Sequence, residues 1–129
     1  MIEDDLYDYL TADSGVSALV GARIWPDIVP QDPSYPLITY ARSNDEREST
    51  FDEGQTDHVG ADFQIDSWGE TRGAAIELAA TVRAALLNYG GDMGATRIDQ
   101  VRLSSQLDIY EHEVGAYRRT QIWTLWYYE

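Results

Sequence analysis

At 129 residues, 43% of them apolar, the chain has room for one packed core and none for a second enzymatic domain. It has no cysteine, which excludes disulfides and thiolate sites for metals or nucleophiles, and no run of about 20 apolar residues of the kind a membrane span requires. Twenty-three acidic residues against nine basic ones, all arginine, leave a formal net charge of −14, a surface that repels phosphate backbones and anionic lipid.

The chain opens "MIEDDLYDYL", without the basic start and apolar stretch of a signal peptide, which predicts a protein made in the cytosol. Ile2, Leu6, Tyr9 and Leu10 recur at helical spacing, and Glu3, Asp4 and Asp5 fall in the first turn, where the helix dipole favours negative charge. That helix should end near Asp13 to Gly15, with "VSALVG" forming a further short turn and "ARIWP" a brief strand closed by Pro26. Three prolines in "DIVPQDPSYP" fit neither a helix nor a central strand, so this is an extended loop.

"LITYARSNDE" has strand character, with Ile38 and Tyr40 on one side and Leu37, Thr39 and Ala41 on the other. From Ser43 to Asp57 there are six carboxylates, one arginine and little apolar besides Phe51, the composition of a solvated hairpin tip or a long loop. "HVGADFQIDSW" then alternates: Val59, Ala61, Phe63 and Ile65 face one side, Asp62, Gln64 and Asp66 the other, as in a half-buried strand. "GETRGAAIELAATVRAALLNYGG" is the strongest helix, with Thr71 as N-cap, an apolar stripe of Ala75, Leu78, Ala79, Val82 and Leu86, and Gly90 and Gly91 as the stop. After the turn "GGDMGAT", two strands follow, roughly Arg97 to Tyr110 and Ala116 to Tyr128, joined by the tight connection "EHEVG". Short uncrossed connections then predict a single α+β domain over residues 1–129, a mainly antiparallel β-sheet with two α-helices packed on one face.

Catalytic residues are hard to assemble from this text. Glu111, His112 and Glu113 are adjacent, so in an extended segment the two carboxylates point away from the histidine, and a zinc-type site would need further ligands when His58 is the only other histidine. A solvated turn is the better reading. His58 lies near Asp57 and Asp62 at a strand start, a common surface position. No nucleophile elbow is present, and "GGDMG" lacks the lysine of a phosphate loop and precedes a strand. No catalytic, cofactor or metal residue is therefore assigned, and the chain reads as a non-enzyme.

Two segments carry the expectation of contact. The acidic residues Asp45, Glu46, Glu48, Asp52 and Glu53 suit a loop that meets a partner or lines the interior of an assembly. In "QIWTLWYY", Ile122, Thr124 and Trp126 alternate with Trp123, Leu125 and Tyr127, so both faces are apolar. Such a strand is either sandwiched or covered by a second subunit, and the subunit interface, through Trp123, Trp126 and Tyr127, is favoured.

Taken together, "DLYDYLTADSGVSALVGARIWPDIVPQDPSYPLITYARSN", "FQIDSWGETRGAAIELAATVRAALL" and "LDIYEHEVGAYRRTQIWTLWY" resemble the tail-completion family of long-tailed bacteriophages and their prophages, similar in role to lambda-type tail terminators. The resemblance covers nearly the whole chain and involves no catalytic signature. It implies a virion protein of the head-tail interface, made in the bacterial cytoplasm, that caps the tail tube and stops its polymerisation. It further implies a ring, commonly of six copies around a DNA-sized channel, whose partners are the tail-tube protein and a neck or head-completion protein, with DNA passing unbound and no membrane involved. The strong acidity and the length of "SNDERESTFDEGQTD" depart from the family pattern. A head-completion or stopper protein of the neck is the alternative, and a small acid/base enzyme a more distant one.

Overall fold

The structure, a computed structural model, describes the backbone of residues 1–50 and 54–128 and the side chains of residues 1–45 and 58–128. The elements run α1 (Ile2–Ala12), α2 (Ser14–Val20), β1 (Ile24–Pro26), β2 (Leu37–Thr50), β3 (Gly54–Gly69), α3 (Arg72–Leu86), β4 (Gly91–Met93), β5 (Thr96–Glu111) and β6 (Ala116–Tyr128). The broad α+β expectation holds, with two differences.

Among the described residues there are three helices, not two. The chain leaves α1 because Asp13 adopts an extended conformation (φ −70°, ψ 125°), and its carboxylate then accepts the Val16 N–H at 3.0 Å, so the same residue that ends α1 starts α2. Val16 and Val20 bury the short second helix. In α3, Thr71 caps as expected by accepting the Ala74 N–H at 3.1 Å, and the buried stripe is Ala75, Leu78, Ala79, Val82 and Leu86. The stop comes earlier than the glycines: the helix ends at Leu86, Leu87 is extended, and Asn88 takes a left-handed conformation (φ 60°). Gly91 opens β4 instead, a strand that a turn was expected to replace.

The second difference lies in the sheet. Its order is β1-β2-β3-β6-β5-β4, and β1 pairs with β2 in parallel while the other four pairings are antiparallel, so the sheet is mixed. The proline-rich residues 27–36 carry the chain back from the end of β1 to the start of β2, which a parallel neighbour requires. The acidic segment is a long hairpin, with β2 and β3 paired out to Thr50 and Gly54. Bulges interrupt register at Arg42/Asn44 in β2 and at Ile98/Gln100 and Leu103/Ser105 in β5, and the β2–β3 pairing shifts again between Arg47 and Ser49, while β3 and β6 pair without a break from His58 to Gly69.

All three helices bury on one face. Ile2, Leu6 and Leu10 of α1, Val16 and Val20 of α2, and Leu78, Val82 and Leu86 of α3 form one cluster with Val59, Ala61, Phe63 and Ile65 of β3 and Trp123, Leu125 and Tyr127 of β6. The period-2 pattern of β3 therefore selects the helix-covered face. Close approach of α3 is built in: a Cβ on Gly69 would stand 2.7 Å from the Ala75 nitrogen and 2.8 Å from the Ala74 Cβ. On the other face a small cluster of Leu37, Trp68 and Ala116 lies under Val29 and Tyr35 of the proline-rich loop.

Candidate assembly surface

The face of the sheet away from the helices holds the polar partners of the alternating strands, and they are organised by hydrogen bonds. Thr124 donates to Asp62 at 2.6 Å and is bonded to the Ser104 hydroxyl at 2.8 Å. Gln64 donates to both oxygens of Asp66, and Trp68 donates its indole N–H to Thr39 at 3.0 Å. Asp66 is nearly buried, a costly position for a carboxylate without a cation. Arg118 supplies the charge: its Nη1 lies 3.2 Å from Asp66, Nη2 donates to Glu111 at 2.7 Å, and its guanidinium stands 5.5 Å above the Trp68 ring.

Further along the same face, Trp126 lies over Gly60, where a Cβ would stand 2.8 Å from the indole ring. His58 stacks on Tyr128 at 4.5 Å between ring centroids, packs on Trp126 at 5.1 Å, and points Nε2 at Asp99 at 3.3 Å. Of the three aromatic residues expected at a subunit interface, this leaves Trp126 alone on the outward-facing side. Trp123 (0% exposed) and Tyr127 (5%) lie inside the chain's own core, because their alternation places them beneath the helices. Trp123 donates its indole N–H to buried Gln121, which in turn donates to Gln106 at 2.9 Å.

The hairpin base is held on the helix side. Arg42 donates to Asp45 at 2.7 Å and to the Tyr127 hydroxyl at 2.9 Å, with Glu3 at 3.5 Å. Burial works against the Arg42 charge, but the bonds to Asp45 and Tyr127 outweigh it and hold its pKa above the ordinary arginine value. Asp45 is exposed at the start of the acidic segment. The side chains of Glu46 and Glu48, and residues Asp52 and Glu53 altogether, lie outside the described residues.

The Glu111–His112–Glu113 cluster separates as its geometry requires. Glu111 is engaged by Arg118, His112 sets its ring edge-on to Tyr110 at 4.7 Å, and the turn closes through the Gly115 N–H on the Glu111 carbonyl at 2.9 Å. Gly115 supplies the positive φ (65°) that this turn needs. Among the described residues no three His, Cys, Asp or Glu side chains converge on a common point. Opposite the turn, Arg119 donates to both oxygens of Asp108, at 2.7 and 2.9 Å, and these bonds hold the Asp108 pKa below the usual carboxylate value. The Arg118 cluster went unread in the sequence, although an aspartate in a half-buried strand two residues before a tryptophan is a signal that a cation must be near.

Residues 4–129 match the model of the family described as "Tail completion protein gp17". Among solved structures, the chain is similar to one from the "Virion of native gene transfer agent (GTA) particle", with a TM-score of 0.79 and 17% identity over 96% of this chain and 92% of that one. At that identity the likeness is one of fold. No curated protein matches the sequence.

Proposed function

The chain belongs to the tail completion protein gp17 family, and so to the structural proteins of phage tails, and from that premise we propose that it closes the end of a tail tube and helps join tail to head. In this reading it acts without catalysis, as one subunit of a ring, six copies on the tail, within the virion. Its partners are further copies of itself, the tail-tube protein and a neck or head-completion protein. The observation that carries the reading is the family match over residues 4–129. The polar sheet face supports it: Asp62, Asp66, Glu111 and Arg118 are consumed by structural hydrogen bonds rather than aimed at a substrate.

The acidic segment has a place in the same reading. Asp45, Glu46, Glu48, Asp52 and Glu53 would face the channel, where a wall of negative charge keeps DNA from adhering as it passes. The net charge of −14 motivates this assignment. Trp126 is the member of the aromatic set that stays on the outward face, where a partner in the assembly would cover it.

Purified chain mixed with the tail-tube protein of the same phage tests the reading. The expected result is tubes of defined length, each closed by one ring at one end, with the hairpin near the axis when the ring is imaged. Binding to the portal complex in place of the tube would identify a neck stopper instead. Hairpins on the outer rim would remove the channel assignment.

A further inference from the structure

The two lateral ends of the sheet differ in a complementary way. At one end β4 pairs with β5 only from Thr96 to Ile98, so among the described residues β5 has no strand on its outer side from Asp99 to Glu111. That stretch, "DQVRLSSQLDIYE", contains no proline or lysine, and its two bulges, devices that twist an edge away from pairing, lie before Ser105. It ends in seven residues, Ser105 to Glu111, paired to β6 in unbroken register, and in their midst Leu107 is 60% exposed. At the other end stands the three-residue strand β1, where Trp25 is 40% exposed and Ile28, just beyond it, 76%.

The ladder registers place these apolar residues at one level. Trp25 pairs with Thr39, Thr39 with Asp66, Asp66 with Thr120, and Thr120 with Leu107, a single row across the sheet with all five side chains on the same face. The strand directions agree as well. β1 is parallel to β2, and three successive antiparallel pairings separate β2 from β5, so β1 runs opposite to β5. A second copy placed beside the first, and turned to take up the twist accumulated over the four intervening pairings, would add its β1 antiparallel to the open β5 edge with its Trp25 beside Leu107.

Building on the ring reading above, we infer that the subunit contact is this head-to-tail junction, with Trp25 and Ile28 of one copy against Leu107 on the β5 edge of the next. The contact is heterologous, since the two surfaces are different, and it repeats at each subunit. It also covers the apolar residues that the monomer leaves exposed at both ends, beside an edge otherwise open to non-specific pairing.

The absence of native cysteine makes a direct test available. Full-length chains carrying Ile28→Cys, Leu107→Cys or both are assembled, free at high concentration and on tail tubes, and treated with a short bifunctional maleimide. The junction predicts a ladder of covalent oligomers up to the ring size for the double variant and monomer for each single variant. Dimers from Leu107→Cys alone would reveal two β5 edges paired about a twofold and overturn the inference. Rings seen by imaging without a 28-to-107 ladder overturn it too, while leaving the ring itself standing. A chain that remains monomeric even on tubes overturns both. In a second measurement, Leu107→Asp should lower ring yield roughly tenfold or more, the scale of losing one interface anchor, while the monomer's thermal unfolding stays unchanged because Leu107 has little to lose on folding. Unchanged ring yield in that variant would also sink the junction.

Discussion

Single residues here succeed or fail by what lies within a few ångströms of them. Gly69 has the backbone of α3 at the place where a side chain would begin, so nothing flexible can yield, and Gly69→Ala should destabilise the fold by about 1–3 kcal/mol in urea unfolding. Gly60 is crowded only by the Trp126 ring, which can swing outward, and the same change there should cost less. Arg118 offsets the desolvation of Asp66. Removing it as Arg118→Ala leaves a nearly buried carboxylate without its cation, at an expected cost of about 3 kcal/mol. In the double variant Arg118→Ala/Asp66→Ala part of that loss should return; strictly additive losses would show that the pair is not coupled. Asp108 is a milder case, because it is exposed and its partner Arg119 only partly covered. Its folded-state pKa is depressed, so its contribution is present above the unfolded value near ~4 and lost as pH falls through the folded value. Asp108→Asn should cost less than about 1 kcal/mol at neutral pH. Its melting temperature should merge with that of the parent chain in acid.

At the scale of elements, what could be read in advance follows from periodicity. The alternation of β3 and the five-residue stripe of α3 are legible because each element buries one face against a single large neighbour, so burial repeats with the element's own period. Thr71 was legible for a local reason, since an N-cap needs only the N–H groups of its own helix, and Thr71→Ala should remove about 1 kcal/mol, measured as a lower urea midpoint with an unchanged slope. Of the short elements, β1 was legible from Pro26 closing "ARIWP", while two others were not. Helix α2 spans seven residues and β4 three, too few for a period to show, and each exists because tertiary neighbours bury it, Val16, Val20 and Met93 all joining the common core. The end of α3 was misplaced because the stripe runs out at Leu86, and once burial stops contributing, Asn88 can turn the chain before the glycines are reached.

For the whole molecule, charge and edges set the behaviour. A net −14 on 129 residues means self-repulsion at low ionic strength, so the melting temperature should rise by a few degrees as salt shortens the screening length from about 30 Å at 0.01 M to about 10 Å at 0.1 M. A flat or falling response would show that attractive pairs such as Arg118–Asp66 outweigh the net repulsion. Salt should favour assembly of the proposed ring in the same direction, since like-charged subunits would have to approach one another. In the proposed ring, the acidic hairpin and the open β5 edge would both gain a role that a monomer does not offer them.

By itself the sequence determined the class of protein: no disulfide, no lysine, a dominant acidic charge, an α+β alternation of elements, and a text that resembles the tail-completion family over nearly its full length. It also placed the inward residues of β3 and α3, because those depend on local period alone. What only the tertiary structure decided was which side of β6 the helices take. Both sides of "QIWTLWYY" are apolar in the sequence, and pairing of Phe63 with Trp123 and of Val59 with Tyr127 puts Trp123 and Tyr127 into the core and leaves Trp126 outside. The level of Trp25 with Leu107, 82 positions apart, is likewise a sum of four ladder registers. Register arises from contacts between distant segments, and no property of either segment alone contains it.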